Sequence, residues 1–110
     1  MLEEDYCSYE VAKLLKEKGF DYQGFDYIDF EGEVIKQDRP THQMAMKWLR
    51  ENHNIFIQIS AVLQDQPFGL HYRPSIQDYH AYARHDNFSE YVTYEEAIEA
   101  ALKYSLENLI

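Results

Sequence analysis

The chain of 110 residues carries 20 acidic against 10 basic side chains, a net charge of −10, which argues against a surface built for nucleic-acid phosphates, since that takes clustered Lys and Arg. Its 45% hydrophobic content suffices for one folded domain and excludes the disordered class. A lone cysteine, Cys7, excludes an internal disulfide and fits a reducing compartment, while no apolar run approaches the roughly 20 residues of a membrane span.

The start, Met1-Leu2-Glu3-Glu4-Asp5, is acidic and lacks the basic n-region of a signal peptide, so the expected location is cytoplasmic. Charge is uneven along the chain. Residues 1–33 hold 10 acids against Lys13, Lys16 and Lys18, a balance of −7.

Three hydroxyl residues mark helix starts: Ser8 before Tyr9-Glu10, Thr41 before His42-Gln43 and Thr93 before Tyr94-Glu95. The first helix is predicted from Tyr9 to Lys18, with Val11, Leu14 and Leu15 inward and Gly19 as its left-handed end. Phe20 then folds back on Leu15 in a Schellman motif. Next comes an aromatic and acidic stretch, Phe20 to Ile35, read as a hairpin turning at Glu31-Gly32.

Pro40 keeps Arg39 out of a helix, and the second helix is expected near 42–52, burying Met44, Ala45, Trp48 and Leu49 and leaving Met46 outside. Asn52-His53-Asn54 ends it, because asparagine tolerates the left-handed conformation.

The alternation of Ile55, Ile57, Ile59, Ala61 and Leu63 with Phe56, Gln58, Ser60 and Val62 predicts a strand, the first set facing the core. After a turn at 64–67, a second strand is expected from Phe68 to Arg73, ended by Pro74, with a weaker third within 78–84. The last helix, Tyr94 to Leu109, presents Ala97, Ile98, Ala101, Leu102, Leu106 and Leu109 as one stripe. Ser105 bonds back to Ala101, and Glu99 pairs with Lys103 on the surface. The sum is a single α+β domain, three helices packed on one face of a small antiparallel sheet of three to five strands.

Catalytic constellations are sparse. His71, His80 and His85 lie in the strand-rich part, and His80, Tyr82 and Arg84 share a strand face if that segment is extended. Their spacings do not match a metal motif, so neither a metal nor another cofactor is assigned. Cys7 precedes a helix N-terminus, yet Glu3, Glu4, Asp5 and Glu10 surround it in sequence and raise its pKa. No Gly-x-Ser-x-Gly or phosphate-binding glycine loop occurs.

The stretch from Phe20 to Glu33 instead interleaves five aromatics with five acids. Tyr22, Phe25, Asp26, Tyr27, Asp29 and Glu31 are the candidate binding residues, ring anchors rimmed by carboxylates that suit a basic protein partner.

Pro40-Thr41-His42-Gln43 leading into Trp48-Leu49-Arg50-Glu51-Asn52-His53-Asn54-Ile55, and the closing helix from Tyr94-Glu95-Glu96-Ala97 to Leu106-Glu107-Asn108-Leu109-Ile110, resemble a family of small uncharacterised proteins of Bacteroides-type bacteria, their prophages and mobile elements. The resemblance covers Ser8 to Ile110 and implies an accessory or regulatory protein, with no catalytic residue to carry over. The terminal Thr-x-Glu-Glu-Ala helix is also similar to antitoxins that neutralise a small RNase.

The functional expectation is a non-enzymatic protein–protein interaction module, monomeric or homodimeric, that binds neither membrane nor nucleic acid directly. The alternatives are an acidic nucleic-acid mimic or antitoxin-like neutraliser of a basic protein, and a small histidine-based or metal-dependent enzyme.

Overall fold

Each hydroxyl residue caps its helix as its position demands. Ser8 Oγ accepts from the Val11 amide, Thr41 Oγ1 from Met44 and Thr93 Oγ1 from Glu96, all at 3.1 Å. The computed structural model describes residues 6–22, 25–28, 30–37, 39–65 and 68–110, for 25–28, 35–37, 64, 65 and 68 by their backbone.

In chain order the elements are α1 (Tyr9–Glu17), β1 (Phe25–Ile28), β2 (Val34–Gln37), α2 (His42–His53), β3 (Ile55–Asp65), β4 (Phe68–Asp78), β5 (Ala83–His85) and α3 (Tyr94–Asn108). The fold is α+β, with helices on a three-stranded antiparallel sheet of order β3-β4-β5. The predicted hairpin forms a separate two-stranded ribbon, β1-β2, that pairs Phe25 with Gln37 and Ile28 with Val34.

At the end of α1 the amides of Gly19 and Phe20 donate to the carbonyls of Lys16 and Leu15 at 3.2 and 3.0 Å, the two bonds of a Schellman motif, with Gly19 at φ +102°. Open space surrounds the position of a Gly19 Cβ, so Gly19→Ala is expected to cost about 1 kcal/mol through backbone conformation alone. Urea unfolding measures it. Asn54 ends α2 at φ 55°, as its sequence predicts.

The core gathers Val11 and Leu15 of α1, Ala45, Met46 and Leu49 of α2, Ile55 and Ile76 of the sheet, and Ile98, Ala101, Leu102 and Leu106 of α3. Here α2 departs from expectation. Its buried stripe is His42, Ala45, Met46 and Leu49, and Met44 is 40% exposed against 7% for Met46. The periodicity i, i+3, i+4, i+7 counted from His42 yields this phase. A polar first residue concealed it. Trp48 is only partly buried, its ring edge-on to Phe20 at 5.4 Å and to His53 at 4.8 Å.

In β3 the core face holds Ile55, Ile57 and Ile59, but Ala61 and Leu63 are exposed, contrary to the alternation. The hairpin outruns its helices: β3 and β4 each have 11 residues, about 36 Å at 3.3 Å per residue, whereas the 15 residues of α3 span about 22 Å. Leu63 and its partner Leu70 therefore lie on an uncovered overhang.

Pro74 does not end β4. Tyr72 exchanges both backbone bonds with Tyr91 at 2.7 Å, so every second residue of β4 from Tyr72 turns its backbone away from β3. The Pro74 nitrogen thus faces the gap between the Tyr91 bridge and β5, whose pairing begins at Ile76, and no ladder bond is lost. The third strand shrinks to Ala83–His85, because residues 79–82 form a turn held by the Asp78 carboxylate, which accepts from the amides of His80 and Ala81 at 3.2 Å.

Candidate functional site

The segment before α1 runs alongside the segment that enters α2. Tyr6 bridges Thr41, the Cys7 amide donates to the Pro40 carbonyl at 2.8 Å, and Arg39 Nη1 donates to the Cys7 carbonyl at 3.2 Å. This pairing delivers Cys7 and His42 to one place, where the middle of α3 adds Glu99.

Glu99 does not form the predicted surface pair with Lys103. Its Oε1 accepts from the Ser8 amide at 2.7 Å and lies 2.8 Å from His42 Nε2, and its Oε2 accepts from Ser8 Oγ at 2.8 Å. Lys103 pairs with Glu10 of α1 at 2.8 Å instead. Together these bonds tie α1 alongside α3.

Cys7 Sγ, a ring nitrogen of His42 and a Glu99 oxygen all lie within 4.8 Å of one another. Cys7 is fully buried and His42 nearly so. Burial, and then the Glu99 carboxylate, push the Cys7 thiol up to about 12, so it is protonated at neutral pH. Burial alone would raise Glu99, but the bonds from His42 and from the Ser8 amide and hydroxyl outweigh it and hold this carboxyl below its usual value. Beside the cluster opens a cleft of about 470 Å³ lined by Tyr6, Arg39, Tyr91, Glu95 and Glu96 as well as by Ser8, His42 and Glu99.

The other candidates fare differently. His85 sits opposite the core residue Ile76, its Nδ1 3.3 Å from the Tyr104 hydroxyl. His71, opposite Val62, lies on the other face of the sheet, an odd number of residues from Ile76. His80 belongs to the 79–82 turn, so His80, Tyr82 and Arg84 share no strand face. Among the described residues no cluster of three potential metal ligands includes these histidines.

Of the predicted binding residues, Tyr22 is half-buried with its ring 6.0 Å from Phe20. It shares a hollow of about 240 Å³ with Tyr9, Lys13, Lys16 and Arg39, a setting that includes cations as well as rings. Glu31 is exposed. The backbones of Phe25, Asp26 and Tyr27 lie in β1; their side chains, and all of Asp29, fall outside the described residues.

The helical phase of α2 held a signal for His42, but nothing local linked positions 7, 42 and 99. Comparison with protein-family models, with curated proteins and with solved structures gave no match.

Proposed function

We propose that this chain is a protein–protein interaction module that takes an extended segment of a basic partner onto the outer edge of β3. The observation that supports this reading is the edge itself. Phe56, Gln58, Ser60 and Val62 turn their backbone groups toward β4, so Ile57, Ile59, Ala61 and Leu63 turn theirs outward, where no described strand pairs with them. From Ile55 to Gln64 this edge carries no charge and no proline, the devices that ordinarily blunt an exposed strand. Strand addition uses such an edge.

The exposed Ala61, Leu63 and Leu70 extend it as an apolar shelf for a partner's side chains. The net charge of −10 favours a cationic partner and opposes close approach of a second copy. The β1-β2 ribbon adds the fully exposed Phe30 and the exposed Val34 as further contact surface.

Ala61→Pro tests the reading. The Ala61 amide points away from β4, so the substitution removes an outward donor without removing a bond of the sheet. Stability is expected to stay within about 1 kcal/mol of wild type. A basic partner captured by the wild type, and released by salt, is expected to bind the variant at least tenfold more weakly. Equal binding overturns the reading. A dimer of the chain alone that Ala61→Pro dissociates assigns the edge to a second copy instead.

A further inference from the structure

We infer that Cys7, His42 and Glu99 form a binding site for a zinc ion, with the fourth coordination position supplied from the adjoining cleft. The three donor atoms come from three separate elements and lie within 4.8 Å of one another. Zinc bonds of roughly 2.0–2.3 Å place neighbouring tetrahedral donors about 3.3–3.8 Å apart, so closure around an ion asks for shifts of about 1 Å. His42 Nε2 and Glu99 Oε1, at 2.8 Å, need only part slightly.

The donor set selects the metal. Thiolate, imidazole and carboxylate together suit zinc, whereas calcium and magnesium take oxygen ligands. The charges also close: one thiolate and one carboxylate neutralise a dication at a site where Cys7 is fully buried and His42 nearly so. Arg39 is the cation that touches the Cys7 backbone. Its guanidinium donates to the Cys7 carbonyl and lies 4.4 Å above the Tyr9 ring, and Glu95 and Glu96 line the cleft beside it.

Outer contacts are in place as well. The Ser8 amide and hydroxyl orient the two Glu99 oxygens, while the Cys7 thiol donates only a long 3.7 Å bond to the Thr41 carbonyl, which metal binding gives up. The hydrogen bonds among Ser8, His42 and Glu99 are complete without sulfur. Cys7 adds a donor that this network does not use and whose single contact there, to Thr41, is long. Binding replaces the thiol proton with the metal, and that proton goes to solvent; His42 coordinates through Nε2 as the neutral tautomer that carries its proton on Nδ1, so its hydrogen bond to Glu99 gives way to the shared metal.

The probe is cobalt(II) added to the purified full chain after chelation, followed by displacement with zinc. One equivalent is expected to give sulfur-to-cobalt charge-transfer absorption and the intense visible bands of tetrahedral cobalt, both lost when zinc is added. Because a thiol proton is released, affinity is expected to rise about tenfold per pH unit below the thiol pKa. Cys7→Ala is expected to abolish the charge-transfer band, and Glu99→Gln to weaken zinc binding at least tenfold. Absence of the band from wild-type protein at stoichiometric cobalt overturns the site without recourse to any variant. So does equal zinc retention by wild type and a folded Cys7→Ala protein.

Discussion

Leu102→Ala is expected to destabilise the fold by about 3 kcal/mol, because removing a fully buried leucine loses transfer energy and leaves a cavity. Leu102 is 0% exposed within the core formed by all three helices and the sheet. In a domain stable by roughly 5–15 kcal/mol this is a large fraction, and the unfolding midpoint is expected to fall by on the order of 10 °C. Leu63→Ala makes the same chemical change on the overhang, where Leu63 is 65% exposed, and is expected to cost at most about 0.5 kcal/mol. Calorimetry of both variants separates core from overhang. A Leu63→Ala cost as large as that of Leu102→Ala would show the overhang buried in solution and would contradict the open edge.

Glu99→Ala carries the second large effect. It leaves the Ser8 amide, the Ser8 hydroxyl and His42 Nε2 without their acceptor at a half-buried position, and the expected cost is about 2–3 kcal/mol. Lys103→Ala, at the exposed pair with Glu10, is expected to change stability far less.

The pH dependence carries a definite sign. Glu99 is held below its ordinary value of 4.5 in the folded chain. The unfolded state therefore takes up a proton first, and the stability that Glu99 contributes is present above 4.5 and lost as pH falls through the lowered folded value. Denaturant titrations are expected to show a wild-type acid limb that is flatter in Glu99→Gln, so that the two stabilities converge in acid. Parallel curves would mean that the carboxylate network adds nothing to folding.

Local signals carried well into the structure. The caps at Ser8, Thr41 and Thr93, the left-handed Gly19 and Asn54, the Ser105 bond to Ala101 at 2.9 Å and the α3 stripe all rest on contacts within a few residues, and a sequence displays these directly. Features set by distant partners did not. The Glu99 carboxylate chose Ser8 and His42, 91 and 57 positions away, over the neighbour at i+4. Met46 is buried because α2 docks on the face that begins with a polar residue. Ala61 and Leu63 keep the alternation of a core face, but α3 is too short to cover them. The Cys7 thiol likewise owes its raised pKa to burial and to Glu99, a partner far away in sequence.

Pro74 has a bearing on what the protein can build. Beside it, among the described residues, the far side of the sheet offers only a three-residue strand and one isolated bridge, and the proline supplies no donor there, so an incoming strand meets a broken ladder. The sheet thus has one receptive margin and one blunt one. A module with two receptive margins would propagate head to tail into a fibre, whereas this one is used up after a single addition. Crowding the protein at high concentration is therefore expected to yield, at most, capped pairs that stay in solution.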